Sequence, residues 1–234
     1  MEEKTKEKIE LTILMPCLNE ESNIENSILA AKSFLDKHHI SGEILIVDNG
    51  STDNSISLAM GLGARVFNEP MPGYGNALRK GISEAFGSYI IMGDCDTTYD
   101  FSNLMPFLTE LRNGTELVIG NRFAGGIEKY AMPFSHRYIG VPLLSFLGRI
   151  RYNIRIKDFH CGLRGFRRDA ATSLNFTSTG MEFATEIIAR FAKSGKSIKE
   201  VPTTLSVSKA PRKPHLRTLR DGLRHIVFML KRLD

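Results

Sequence analysis

The sequence lacks any apolar stretch long enough to cross a bilayer. Its longest nearly apolar run, Tyr138 to Gly148, falls well short of the roughly 20 residues that a spanning helix needs. The first ten residues, Met1 to Glu10, form a charged N-terminal extension with no apolar core of a signal peptide, so the chain is expected neither to span a membrane nor to enter a secretory route. Cysteine is scarce as well. Cys17, Cys95 and Cys161 are odd in number and form no CxxC pair, which argues against a disulfide framework or a zinc knuckle and points to a reducing compartment. His160 beside Cys161 does not alter this, because adjacent residues seldom ligate one ion and no second His/Cys pair follows at zinc spacing. No internal repeat or low-complexity tract is visible.

What is present fits one α/β domain with an appendage: 234 residues, 42% hydrophobic and 24% charged. The net charge of +5 is unevenly placed. From Thr203 onward eight basic residues face only Asp221 and Asp234, so the body is near neutral and the C-terminal end basic. Such a tail suits an anionic partner or surface.

Apolar runs and helical spacings alternate along the chain. Strands are expected at Leu11 to Met15, Glu43 to Val47, Ala64 to Phe67, Ser88 to Gly93 and Glu116 to Ile119. Helices are expected at Asn19 to His38, Ile56 to Gly61, Gly75 to Phe86 and Ser102 to Arg112. Further on, Met181 to Phe191 has helical spacing with Gly195 as a C-cap, and Ser197 to Ser206 reads as a strand interrupted by Pro202. Strongly apolar strands alternating with helices predict a mainly parallel central sheet with helices on both faces.

In such sheets ligands bind beyond the carboxyl ends of the strands. Polar clusters follow three of the expected strands there: Asn19-Glu20, Asp48 to Asp53, and Asp94-Cys95-Asp96. The last places two carboxylates one residue apart, so both could grip one hard cation; the plainer reading is a solvated turn whose acid caps the next helix. Three acid-bearing clusters at strand ends favour a common site over three unrelated caps.

Three other segments carry chemistry. Gly73-Tyr74-Gly75-Asn76-Ala77-Leu78 could open a helix whose N–H groups face a phosphate, or be a simple loop-to-helix junction. It lacks the third glycine of a dinucleotide fingerprint and the Gly-Lys-Ser/Thr of a phosphate loop. The run from Asp158 to Arg168, dense in charge and glycine, is expected to shape a second substrate's site. The C-terminal stretch Leu216 to Leu233 reads as a basic amphipathic helix, suited either to an anionic membrane interface or to packing on the core with a solvated basic face. It lacks the interleaved aromatics of a nucleic-acid platform, so no nucleic-acid partner is expected.

Taken in order, Pro16-Cys17-Leu18-Asn19-Glu20, Asp48 to Asp53, Gly73 to Ala77 and Asp94-Cys95-Asp96 resemble the family 2 glycosyltransferases of the GT-A fold. Val118 to Phe123, Asp158 to Arg164 and Glu200-Val201-Pro202 are similar to the branch that makes polyprenyl-phosphate sugars, dolichol-phosphate hexose synthases among them. The resemblance covers about residues 11–208, implying a catalytic domain followed by a basic loop and amphipathic helix at 209–234. It implies that Pro16, Glu20, Asp48, Asp53, Gly73 and Asn76 serve the nucleotide sugar, and that Asp94 and Asp96, with Thr98 two positions on, hold Mg²⁺ or Mn²⁺. It implies acceptor or anion contacts for Arg122, Arg137, Arg164, Lys209 and Arg212, with Asp158 as an orienting residue or acceptor-site acid. The implied reaction is inverting transfer of a hexose to a polyprenyl phosphate at the cytoplasmic face of a membrane, with peripheral attachment. Asn49 stands where mannose synthases carry a second Asp, and Thr98 where they carry glutamine. These departures, with Gly180-Met181-Glu182-Phe183 and Pro214 to Arg217, favour UDP-glucose over GDP-mannose; a non-lipid acceptor and a non-catalytic nucleotide-sugar-binding module are the alternatives.

Overall fold

The computed structural model describes residues 9–210 and 218–231. Seven strands form one sheet in the order β3-β2-β1-β4-β6-β5-β7. The strands are β1 Leu11–Cys17, β2 Gly42–Asp48, β3 Arg65–Asn68, β4 Tyr89–Met92, β5 Leu117–Asn121, β6 Arg164–Arg167 and β7 Ile198–Pro202. β1 to β4 run parallel, as do β5 and β7, while β6 is antiparallel to both β4 and β5. Successive side chains of a strand point to opposite faces, yet six of seven β1 residues are buried, so the sheet centre is covered on both sides.

The helices are α1 Ile24–Lys37, α2 Ser55–Gly61, α3 Tyr74–Glu84, α4 Met105–Arg112, α5 Arg122–Gly125, α6 Val141–Tyr152, α7 Arg168–Thr172, α8 Phe183–Lys193 and α9 Thr218–Leu230. α1 buries Ile24, Ile28, Ala31, Phe34 and Leu35, a stripe at helical spacing, and ends where His39 turns left-handed at φ 50°. α8 closes with Gly195 at φ 66°, whose neighbour Lys196 donates its N–H to Phe191 O, a Schellman-type end. A single π turn, His136–Gly140, leads into α6.

Three elements differ from the sequence reading. β6 falls within the charged run 158–168, where no strand is expected; Gly165 admits the crowding of Leu111, Ile91 and Phe107, and Arg164 lies fully buried beneath the sheet's end. The strand expected at Ser197 to Ser206 is regular only over Ile198–Pro202; Thr203 N still donates to Asn121 O, and beyond it pairing is reduced to an isolated bridge between Ile127 and Leu205. The helix expected from Asn19 starts only at Ile24, because Asn19 adopts φ 55° and Glu20 to Asn23 form a turn.

α6 and α9 pack inside out. On α6 the buried residues are the small Ser145 and Gly148, which lie against Phe159, whereas Leu143, Phe146, Leu147 and Ile150 face outward. α9 buries Asp221, His225, Phe228 and Met229 and exposes the stripe Leu223, Ile226, Val227 and Leu230. The C-terminal helix does pack on the body of the fold through those buried residues, while its Leu223, Ile226, Val227 and Leu230 stripe stays exposed. Arg151 ties the two helices together by donating to the carbonyls of Met229, at 3.0 Å, and Lys231. Among the described residues, no helix is long and apolar enough to cross a membrane.

Candidate active site

The loops after β1 and β2 are stitched into one rim. Asn19 accepts the Thr52 N–H at 2.7 Å while its own N–H donates to Ser51 Oγ at 3.0 Å. Buried Glu20 receives Asn23 Nδ2 at 3.1 Å, and its N–H donates to Ser55 Oγ. Asp48 closes a turn by accepting from Ser51 N at 2.9 Å. Asp53 accepts from Ser55 at the start of α2 and from Glu21 N, so it acts as a cap. Burial works against its charge, but those hydrogen bonds outweigh it and hold the carboxyl below the ordinary value. Pro16 lies beside this rim, its carbonyl accepting from Cys95 Sγ at 3.3 Å.

Asp94-Cys95-Asp96 sits just past β4, at the same edge. Asp94 is half-buried and shares a hydrogen bond with the Tyr74 hydroxyl; Asp96 is 2% exposed. Asp96 Oδ1 accepts both the N–H of Thr98, at 3.0 Å, and its hydroxyl. Thr98 thus orients Asp96, using its hydroxyl proton to do so. Thr97, at φ 63°, turns its hydroxyl outward to receive Lys209 N at 2.9 Å, which brings Lys209 beside the acids. Among the described residues no group of three or more His, Cys, Asp and Glu gathers as a metal cluster. Two carboxylates, with diphosphate and water completing the shell, nevertheless match the way Mg²⁺ is commonly held, so the donor set fits a hard divalent cation.

At the end of β5, Arg122 and Asp158 hold each other. Arg122 Nε and Nη2 reach Asp158 Oδ2 and Oδ1 at 2.7 and 2.8 Å, and Arg122 N adds a third bond at 3.1 Å. Burial opposes the Arg122 charge, but Tyr99 and Asp158 more than compensate and raise its pKa. Asp158 is 0% exposed and also receives His160 N, so it anchors Arg122 and has no open side for an acceptor. Arg164 is a second correction. It is 0% exposed and donates to the carbonyls of Cys161, Ala184 and Phe159, which makes it an internal strut and not an anion contact.

The start of α3 departs from the phosphate reading. Gly75 N and Asn76 N both donate to Thr179 O, at 3.0 and 3.3 Å, and a Cβ at Gly73 or Gly75 would collide with the 178–179 backbone. The glycines therefore permit close approach by the chain's own carbonyl. Asn76 Nδ2 donates to the carbonyls of Met71 and Pro72. Asn49 explains its own presence: Nδ2 donates to Glu69 O and Met71 O, both at 2.9 Å, and Oδ1 accepts Gly73 N. An Asp there could make only the last of these bonds. Arg137 stands apart, half-buried in an open hollow of about 380 Å³ lined by Lys129, Tyr130, Met132, Pro133, Phe134 and Tyr138. Arg212 lies outside the described residues. Thr97 was not singled out by sequence, and Tyr74 entered only as a member of the Gly73–Leu78 run; their work is to place neighbours, and isolated polar residues in loops give no periodic signal.

The strand ends thus carry a rim of acids and amides beside a two-carboxylate turn. The family model for glycosyl transferase family 2 matches residues 12–174. The chain belongs to glycosyl transferase family 2. It is 38% identical over 221 residues to the low-salt glycan biosynthesis hexosyltransferase Agl6 of Haloferax volcanii, covering 94% of this chain and 53% of that protein. The chain thus spans about half the length of that relative. It is 29% identical over 194 residues to the dolichyl-phosphate hexose transferase of the same organism, covering 82% of this chain and 81% of that one. Among solved structures, glucosyl-3-phosphoglycerate synthase from Mycobacterium tuberculosis, in complex with Mn²⁺, UDP-glucose and phosphoglyceric acid, superposes with a TM-score of 0.72 at 24% identity, covering 94% of this chain and 78% of that one. This likeness establishes the fold of the family 2 chain as GT-A.

Proposed function

We propose that this domain transfers a hexose, with glucose from UDP-glucose favoured, from a nucleotide sugar to a polyprenyl phosphate at the cytoplasmic face of a membrane. The observation that carries the donor half is the Asp94–Asp96 turn facing the stitched β1 and β2 rim, with Asp96 oriented by Thr98 and Lys209 alongside. Asp94 and Asp96 would hold Mg²⁺ or Mn²⁺, which when bound neutralises charge on the departing diphosphate. Glu20, Asp48 and the 49–53 loop form the nucleotide's wall. An acceptor phosphate oxygen attacks the anomeric carbon as the bond to the diphosphate breaks, inverting the centre. That oxygen is already anionic near neutral pH and needs no general base, which agrees with Asp158 being engaged entirely by protein groups.

The lipid half rests on the inside-out helices. Leu143, Phe146, Leu147 and Ile150 of α6 join Leu223, Ile226, Val227 and Leu230 of α9 on tied helices, and Tyr130, Phe134, Tyr138 and Ile139 are exposed on the approach to α6. Scattered exposed apolar residues are ordinary, but eight on two linked helices, with four more just before α6, make a patch that seeks a nonaqueous partner. Arg149, Arg151, Arg137 and Lys129 border it, as suits anionic headgroups. Arg137 and Lys129 would receive the acceptor phosphate at that boundary, and the relative named for dolichyl phosphate supports the acceptor class. The test is incubation with Mn²⁺, undecaprenyl or dolichyl phosphate, and a panel of UDP- and GDP-sugars. A lipid-linked hexose from one donor is expected. Absence of lipid product from every donor, or equal transfer to a soluble acceptor without lipid phosphate, would overturn the reading.

A further inference from the structure

We propose that α9 braces the donor side of the site, with Arg224 as a positioning residue. The inference rests on the donor reading above but concerns a residue far along the chain from the strand-end motifs. Arg224 reaches over the segment 177–182. Its Nη2 donates to Glu182 Oε1 at 3.0 Å and approaches Thr179 Oγ1 at 3.5 Å, while Nε makes an ion contact with Glu182 Oε2 at 2.8 Å without hydrogen-bond alignment. Gly180 lies directly beneath the guanidinium, its N–H donating to Glu182 Oε1 at 3.2 Å. A Cβ at Gly180 would stand 2.7 Å from the guanidinium carbon.

The segment so held is the one whose Thr179 carbonyl receives Gly75 N and Asn76 N at the first turn of α3. That turn carries Tyr74, whose hydroxyl bonds Asp94, and it follows Gly73, whose N–H is fixed by Asn49 Oδ1 at 2.6 Å. An unbroken set of polar contacts therefore runs from α9 through Glu182 and Thr179 to Tyr74 and one acid of the donor site. The other end of the segment has its own anchor, since buried Glu186 accepts from Thr177 N and Ser178 N and pairs with Arg190 at 2.7 Å. The glycine-rich start of α3, which sequence alone leaves open between phosphate contact and plain junction, is on this account a socket for the chain's own carbonyl. The socket transmits the seating of α9 to Asp94.

Hydrogen exchange with mass-spectrometric or NMR readout tests this directly at the Gly75 and Asn76 amides. Arg224→Ala should speed their exchange about tenfold, the worth of one charge-assisted hydrogen bond, and leave β1 amides unchanged. Arg224→Lys should lie between Ala and wild type. Gly180→Ala keeps the arginine but displaces it, and should reproduce most of the effect. In parallel, UDP and GDP are titrated with Mn²⁺ present; whichever nucleotide the wild type binds should bind about tenfold more weakly to Arg224→Ala. Should the wild type bind neither nucleotide, the donor reading fails, while the amide measurement still decides this proposal. Unchanged Gly75 and Asn76 exchange in both Arg224→Ala and Gly180→Ala overturns it, because the Glu186 anchor would then suffice. Should Arg224→Ala fail to fold by circular dichroism, Arg224→Lys and Gly180→Ala decide alone.

Discussion

Lowering the pH from 7.5 to 5.0 should loosen the seating of α9 by an amount that the burial of His225 sets. His225 is 5% exposed, its Nδ1 shares a 2.8 Å hydrogen bond with Thr185 Oγ1, and its ring stands edge-on to His160 at 4.5 Å. Burial is the main force against its charged form, Arg164 and Arg224 add to it, and Glu182 and Asp221 oppose it; the balance lowers its pKa from 6.5 to about 4. His160 shifts the same way, through burial first and then His225. In the unfolded chain His225 takes a proton near its ordinary value, whereas in the folded chain it stays neutral, so below 6.5 the unfolded state binds more protons. Stability is therefore present above pH 6.5 and lost as pH falls towards 4, by about 3 kcal/mol for His225 across the whole window and about 2 kcal/mol by pH 5. The carboxyls of Asp53, Glu110, Glu116, Asp169 and Glu186 are held below their ordinary values and change little in this range. Glu200, raised chiefly by burial, acts in the opposite sense but cancels between two variants that both contain it. Urea unfolding of wild type and His225→Gln between pH 7.5 and 5.0 is the assay, with the wild type expected to show the steeper loss. Equal slopes for the two proteins would refute the reasoning.

Asp96→Asn should lower transfer at least about 100-fold, with circular dichroism unchanged, because a neutral amide weakens the grip on the cation; EDTA should abolish wild-type turnover and Mn²⁺ restore it. Arg164→Met should cost about 3–5 kcal/mol in urea unfolding, since three buried carbonyls lose their donor, and a loss below 1 kcal/mol would contradict the strut assignment. Asn49→Asp should lower the melting temperature by several degrees, because the carbonyls of Glu69 and Met71 lose their shared donor. Ile150→Asp combined with Leu230→Asp should abolish sedimentation with vesicles containing anionic lipid and leave nucleotide affinity in solution unchanged, a result that equal sedimentation of both proteins would contradict.

The parallel half of the sheet was legible because β1, β2 and β4 are covered on both faces and therefore read as continuous apolar runs. The rim was legible too, since polar residues after such runs fall at one sheet edge by topology. β6 was not, because its outer residues are arginines: Arg164 is buried by donating to backbone carbonyls, an arrangement that composition cannot signal. The start of α3 shows a different limit. Glycines mark where a backbone must come close to something, but the partner is a matter of tertiary contact, and here it is Thr179 O.

Helical periodicity has the same ambiguity at larger scale, and α6 and α9 resolve it. A stripe at helical spacing fixes which residues share a face, while the direction of that face depends on what else the helix offers for packing. α6 offers Ser145 and Gly148, which fit under Phe159, and α9 offers Arg224 and His225, which meet Glu182 and Thr185. Once those contacts are made, the apolar stripes have nowhere to go but outward. One helix thus bears an apolar face suited to a bilayer and, on its other side, the arginine that secures the segment capping α3. On the proposed reading, if a bilayer and the nucleotide both favour the seated α9, reciprocity requires each to strengthen the binding of the other.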